Sequence, residues 1–177
     1  VEADPSTKLT IPGDHGVALG CSNWAPGCEA SALTQRANGS YAGTFDIPAG
    51  TYNHKYAFGN DWSDSYGAGG VRNSAEDNIK YTHAGGPITF FFDPDTKLGA
   101  NTAAGPVYTV AGDFQDQLGC VSNDNAGNWS DSCLGSLMQR QDDGTLTLTL
   151  ADLTPGSYEA KAIENLSWDT AFGGEGG

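Results

Sequence analysis

The amino-acid sequence repeats itself, in order, across most of its length. One copy reads Leu9-Thr10-Ile11-Pro12-Gly13-Asp14, Leu19-Gly20-Cys21, Trp24, Cys28, Leu33-Thr34-Gln35-Arg36, Pro48-Ala49-Gly50-Thr51-Tyr52, Lys55, Trp62 and Tyr66-Gly67. The other reads Tyr108-Thr109-Val110-Ala111-Gly112-Asp113, Leu118-Gly119-Cys120, Trp129, Cys133, Leu137-Met138-Gln139-Arg140, Pro155-Gly156-Ser157-Tyr158, Lys161, Trp168 and Phe172-Gly173. Insertions between the copies fall in turn-like stretches, so each copy is expected to be one folding unit. Module 1 spans residues 6–97, a small and flexible-looking connection spans 98–106 and ends on Pro106, and module 2 spans 107–177. Module 2 shows nothing matching Asn78-Ile79-Lys80-Tyr81 or the apolar run Ile88-Thr89-Phe90-Phe91-Phe92, which reads as the last strand of module 1. It is therefore expected to lack its closing strands, and an open edge over an apolar core invites a strand from another segment or chain.

Within the modules the signals are those of short strands. Tyr41-Ala42-Gly43-Thr44-Phe45-Asp46-Ile47 alternates, and a Pro48-Ala49-Gly50 turn leads into Thr51-Tyr52-Asn53-His54-Lys55-Tyr56-Ala57-Phe58. Along that strand Tyr52, His54, Tyr56 and Phe58 share one face and Asn53, Lys55 and Ala57 the other. Thr145-Leu146-Thr147-Leu148-Thr149-Leu150 alternates strictly and predicts a strand with Leu inward. No segment carries a helical period, so the expected fold is all-β, two tandem immunoglobulin-like β-sandwich modules.

The 22 acidic against 8 basic residues, a net charge of −14, exclude nucleic acid and anionic membrane as partners. No stretch approaches the roughly 20 apolar residues of a membrane span, and Val1-Glu2-Ala3-Asp4 has no leader-like character. Cys21, Cys28, Cys120 and Cys133 form two close pairs, for which local disulfides are the simplest reading. Zinc is the poorer alternative, because His15, His54 and His83 are not grouped to complete a site. Disulfides place the chain in a secreted or extracellular setting.

No nucleophile, base and orienting group converge in sequence, and no cofactor or metal is called for. The many carboxylates read as solvated surface, and Asp93-Pro94-Asp95 and Asn60-Asp61 as turns rather than calcium loops. The tryptophans carry more information. Trp24 and Trp129 lie inside the cysteine loops, and Trp62 and Trp168 follow the strands that hold Lys55 and Lys161. A flat indole complements the apolar face of a sugar ring, and a disulfide gives the platform rigidity. The alternative is that these side chains plug the ends of the sandwiches.

At these residues the chain resembles the β-sandwich modules that precede the catalytic domain of bacterial amylopullulanases. The shared elements are Leu19-Gly20-Cys21, the Trp-bearing cysteine loop, Pro48-Ala49-Gly50-Thr51-Tyr52 and the Trp62 to Tyr66-Gly67 motif. More distantly, Tyr52 to Trp62 is similar to the strand and turn of glycogen-binding domains of AMP-activated kinase β-subunits. The resemblance implies a non-catalytic module that binds starch, glycogen or malto-oligosaccharide and targets an attached enzyme or scaffold. It implies Trp24 and Trp62 as stacking residues, Lys55 as donor, Asn78 as amide and Tyr66 as a further contact. In module 2 it implies Trp129, Lys161 and Trp168. The rival reading is a structural or protein-interaction spacer.

Overall fold

The computed structural model describes residues 8–121 and 123–174. The expected module 1 start at residues 6–7, the expected module 2 end at 175–177 and the reading of Val1 to Asp4 lie outside the described residues. Module 1 contains β1 (Leu9–Thr10), β2 (Ala32–Gln35), β3 (Tyr41–Ile47), β4 (Gly50–His54), β5 (Tyr56–Phe58), β6 (Asp64–Tyr66), β7 (Ile79–His83), β8 (Gly86–Asp93) and β9 (Leu98–Asn101). Module 2 contains β10 (Tyr108–Gly112), β11 (Gln139–Arg140), β12 (Leu146–Thr147), β13 (Ala160–Glu164) and β14 (Ser167–Phe172). The fold is all-β, and among the described residues the only helical segments are short 3-10 turns between strands.

A seven-stranded sheet in the order β6-β5-β1-β2-β3-β8-β9 is covered by the antiparallel pair β4 and β7. Leu9, Ile11, Ile47, Tyr56, Ile88, Phe90 and Phe92 fill the space between them, and Tyr81 of β7 closes the cluster. The longest ladder joins β3 to β8, from Tyr41 opposite Phe92 to Ile47 opposite Gly86. The expected strand Thr51 to Phe58 divides at Lys55, whose N–H donates to the Pro12 carbonyl at 2.9 Å. Its first half pairs with β7 and its second half passes into the large sheet beside β1 and β6.

Two expectations need correction. Leu98–Asn101, expected to begin a flexible connection, is a strand paired with β8 from Phe90 opposite Asn101 to Asp93 opposite Leu98, so β8 is not the last strand of module 1. Its small residues serve close packing: Gly99 lies against the Tyr56 ring, where a Cβ has no room. The Tyr56 hydroxyl donates to the Phe91 carbonyl at 2.8 Å. In module 2, only Leu146–Thr147 of the alternating Thr145 to Leu150 run is a strand, paired with β11, and its leucines are half-buried. Alternation needs a partner strand to bury against. Among the described residues module 2 has no counterpart of β7 or β8.

The modules share a buried seam. Phe91, on the opposite face of β8 from Phe90 and Phe92, packs with Val107, Leu134 and Leu166 of module 2. This explains the consecutive Phe90-Phe91-Phe92, where β8 is buried on both faces. The turn after β8 plugs into module 2: the buried Asp93 carboxylate accepts the Leu134 N–H at 2.8 Å, and Asp95 accepts the Val121 N–H at 2.9 Å. Burial pushes the Asp93 carboxyl up, against hydrogen bonds from Leu134, Thr96 and Asp95 that favour its charged form. Around them Arg36 donates to the Asn165 carbonyl at 3.2 Å and Asn38 to the Leu166 carbonyl at 3.0 Å.

The core of module 1 contains two neutral histidines. His15 donates from Nε2 to the Ile11 carbonyl at 2.7 Å and accepts the Tyr81 hydroxyl on Nδ1 at 2.8 Å. His54 is fully buried, and its Nε2 has no partner among the described residues. Burial, then the neighbouring His15, push His54 down to about 3, and burial also lowers His15. A folded pKa below the unfolded one means that the unfolded chain takes up the proton first. The stability these histidines contribute is complete above about pH 6.5 and falls as pH drops toward their folded values. His54 alone should cost about 2 kcal/mol between pH 6.5 and pH 5. Thermal melts at these two pH values should show a lower Tm in acid, and His54→Leu should make the decline shallower; an equal decline in both chains would refute this account.

Candidate functional site

The groove of module 1 is built on two turns. In the first, the Cys21–Cys28 disulfide closes a short loop, and Val17 N–H is held by Asn23 Oδ1 at 3.0 Å. Trp24 sits in this loop with φ of 59°, a left-handed conformation that an aromatic residue holds only where its surroundings impose it. Its N–H donates to the Gly13 carbonyl at 3.0 Å and its indole N–H to Asp14 Oδ1 at 2.8 Å. In the second turn Asp61 Oδ1 accepts the Ser63 N–H at 2.8 Å, leaving Trp62 between them 40% exposed. The Trp24 and Trp62 ring centroids are 6.3 Å apart and their planes are inclined by 39°.

Beneath the indoles lies a groove of about 370 Å³ lined by Lys55, Ser65 and Asn78 and walled by Asn73, Ser74 and Ala75. Lys55 is buried, and its ammonium donates to the Ser74 carbonyl and to the Asp77 carbonyl at 3.3 Å. An ammonium has three donors, so one remains for the groove. Burial lowers the Lys55 pKa, while Asp77 opposes the shift. Asn78 Oδ1 is buried with no hydrogen-bond partner among the described residues. An unsatisfied buried acceptor of this kind costs about 1–3 kcal/mol, which a hydroxyl donor from a ligand would recover.

Trp24, Lys55, Trp62 and Asn78 are thus brought together from four separate stretches. Tyr66 is placed elsewhere: it is buried, its ring packs on Phe58 and Phe92, and its hydroxyl donates to Asp64 at 2.8 Å. In module 2, Trp129 repeats the anchoring of Trp24, with φ of 55° and its N–H on the Gly112 carbonyl at 2.9 Å. Lys161 is exposed where Lys55 is buried, and Trp168 is 44% exposed. The described residues place no ring contact between Trp129 and Trp168, and they hold no counterpart of the 73–78 wall. Sequence reasoning missed Ser65, Asn73, Ser74 and Ala75, which carry no motif. The second pair, Cys120 and Cys133, is also disulfide-bonded; it lies beside Asp93, but bonded sulfurs are not available to a metal.

Fold and groove together define a tandem β-sandwich module with one aromatic groove. Residues 8–98 and 107–177 match the Pullulanase X25 domain, and the chain belongs to that family. A relative, the amylopullulanase of Thermoanaerobacterium thermosulfurigenes, is 33% identical over 81 residues, 45% of this chain and 4% of the relative. The amylopullulanase of Thermoanaerobacter thermohydrosulfuricus is 23% identical over 182 residues, 97% of this chain and 12% of the relative. Among solved structures, a pullulanase from Bacillus acidopullulyticus overlays with a TM-score of 0.48 at 22% identity, covering 93% of this chain and 17% of that one. The chain therefore spans a small part of the enzymes it matches.

Proposed function

We propose that module 1 binds α-glucan (starch, glycogen or malto-oligosaccharide) without catalysis, and that the chain holds an attached starch-degrading enzyme or scaffold on its substrate. The 39° inclination of Trp24 against Trp62 carries this reading. Two inclined stacking faces suit a chain that turns between successive rings, as an α-1,4-glucan does, whereas a flat β-1,4-glucan calls for coplanar platforms. Lys55 and Asn78 supply one donor and one unpaired acceptor at the groove floor, complementary to sugar hydroxyls. Membership of a pullulanase-associated family supports the substrate class. The two disulfides support a secreted or cell-surface location. Module 2, with Trp129, Lys161 and Trp168 ungathered, contributes a weaker site or none.

A second reading is favoured by module 2. Leu146, Leu148 and Leu150 are half-buried and mostly unpaired, as in an edge that accepts a strand from another segment or chain. One titration separates the two. Maltoheptaose should change the tryptophan fluorescence with a Kd of roughly 10 µM to 1 mM, and cellohexaose should not. Equal response to both sugars would remove the α-glucan assignment, and response to neither would favour the spacer.

A further inference from the structure

We propose that Asp14 is a positioning residue, which fixes the face that Trp24 presents to the groove; the inference rests on the α-glucan reading. The Asp14 carboxylate accepts the Trp24 indole N–H on Oδ1 at 2.8 Å. Its other oxygen accepts the Asn53 N–H at 3.0 Å and the Asn53 side-chain amide at 3.1 Å. The Asp14 N–H returns a bond to the Asn53 carbonyl at 2.9 Å, so the carboxylate is pinned to β4, a strand of the scaffold. Trp24 is consequently held at both ends by successive residues, its backbone N–H by Gly13 and its ring by Asp14. A cysteine loop alone fixes the backbone but leaves the ring free to turn about its two side-chain torsions.

Module 2 offers the comparison without this bond. Its Asp113 makes the equivalent backbone exchange, accepting the Glu159 N–H at 2.9 Å, and Trp129 keeps both the left-handed backbone and the bond to Gly112. Among the described residues, however, the Trp129 indole N–H has no bond to Asp113. Burial works to raise the Asp14 carboxyl, but the bonds from Asn53 and Trp24 and the nearby His15 outweigh it and hold it below the ordinary carboxylate range. The acceptor is therefore ionised at neutral pH.

Asp14→Asn keeps the shape but leaves one acceptor oxygen, which the two Asn53 donors claim, so that the amide NH2 faces the indole N–H. Freeing the indole should weaken maltoheptaose binding by about three- to tenfold, the cost of ordering one side chain on binding. In a Trp24→Ala background the same substitution should change affinity by less than about twofold, since coupled residues are non-additive. Equal losses in both backgrounds, or no loss in the first, would overturn the inference. If the unaltered chain binds no maltoheptaose the α-glucan reading fails instead. Asp14 is then decided by exchange of the Trp24 indole proton, which should be slow in the unaltered chain and fast in Asp14→Asn. Asp14→Ser replaces Asp14→Asn in both measurements if the latter lowers Tm.

Discussion

Trp24→Ala combined with Trp62→Ala is expected to weaken malto-oligosaccharide binding by at least about 100-fold, with each indole responsible for roughly tenfold or more. The two rings form the apolar faces above the groove, and among the described residues no other aromatic side chain lines it. Neither ring belongs to the core cluster of module 1, so the melting temperature should change little. Lys55→Ala is a less clean probe, because its ammonium also ties down the Ser74 and Asp77 carbonyls and its loss loosens the groove wall. Titration calorimetry with maltoheptaose measures the effect, and a double variant that binds within about threefold of the unaltered chain would place the contacts elsewhere.

Leu134→Asp is expected to uncouple the modules. Leu134 is 1% exposed, packs with Phe91, Val107 and Leu166, and gives its N–H to the Asp93 carboxylate. A carboxylate at this buried place gives up its hydration close to the Asp93 carboxylate that accepts the Leu134 N–H, and the Arg36 guanidinium over Phe91 is already engaged by the Asn165 carbonyl, so the change is on the order of 3–5 kcal/mol. Module 2 brings only short sheets of its own, so the loss should fall mainly on it. Differential scanning calorimetry should show the single transition split, with module 2 melting earlier. No groove residue lies in the seam, so maltoheptaose affinity should be retained. A single, unshifted transition would contradict the shared core.

The parts of this architecture that are legible in the sequence are those encoded by local chemistry. The cysteine pairs, the Pro48-Ala49-Gly50 turn and the placement of Lys55 toward the groove while Tyr56 enters the core depend on residues close in the chain. Leu98–Asn101 was illegible because Gly99 and Ala100 look like a linker, and only the Tyr56 ring, brought from 43 residues away, shows why smallness is needed there. Thr145 to Leu150 failed in the opposite sense, since alternation specifies a face but not the strand that must cover it. At the groove, the tryptophans and Lys55 stood out through the repeat, and Asn78 entered by resemblance alone. The 73–75 wall is held by Asn73, which bonds Ser63 and Ser65, and by Ser74, whose hydroxyl accepts the Glu76 and Asp77 N–H and whose carbonyl takes Lys55; residues of these types occur in most turns, and their long-range partners are set only by the fold. Asp14 was visible as part of the repeated Gly13-Asp14 and Gly112-Asp113 pairs, but its bond to Trp24 depends on how the cysteine loop folds back.

Affinity electrophoresis in gels containing amylopectin tests the groove most directly. The unaltered chain should be retarded in proportion to polymer concentration, and the Trp24→Ala, Trp62→Ala chain should run as it does in gels without polymer. Unretarded migration of the unaltered chain, or equal retardation of both, would contradict an α-glucan site built on this pair of indoles.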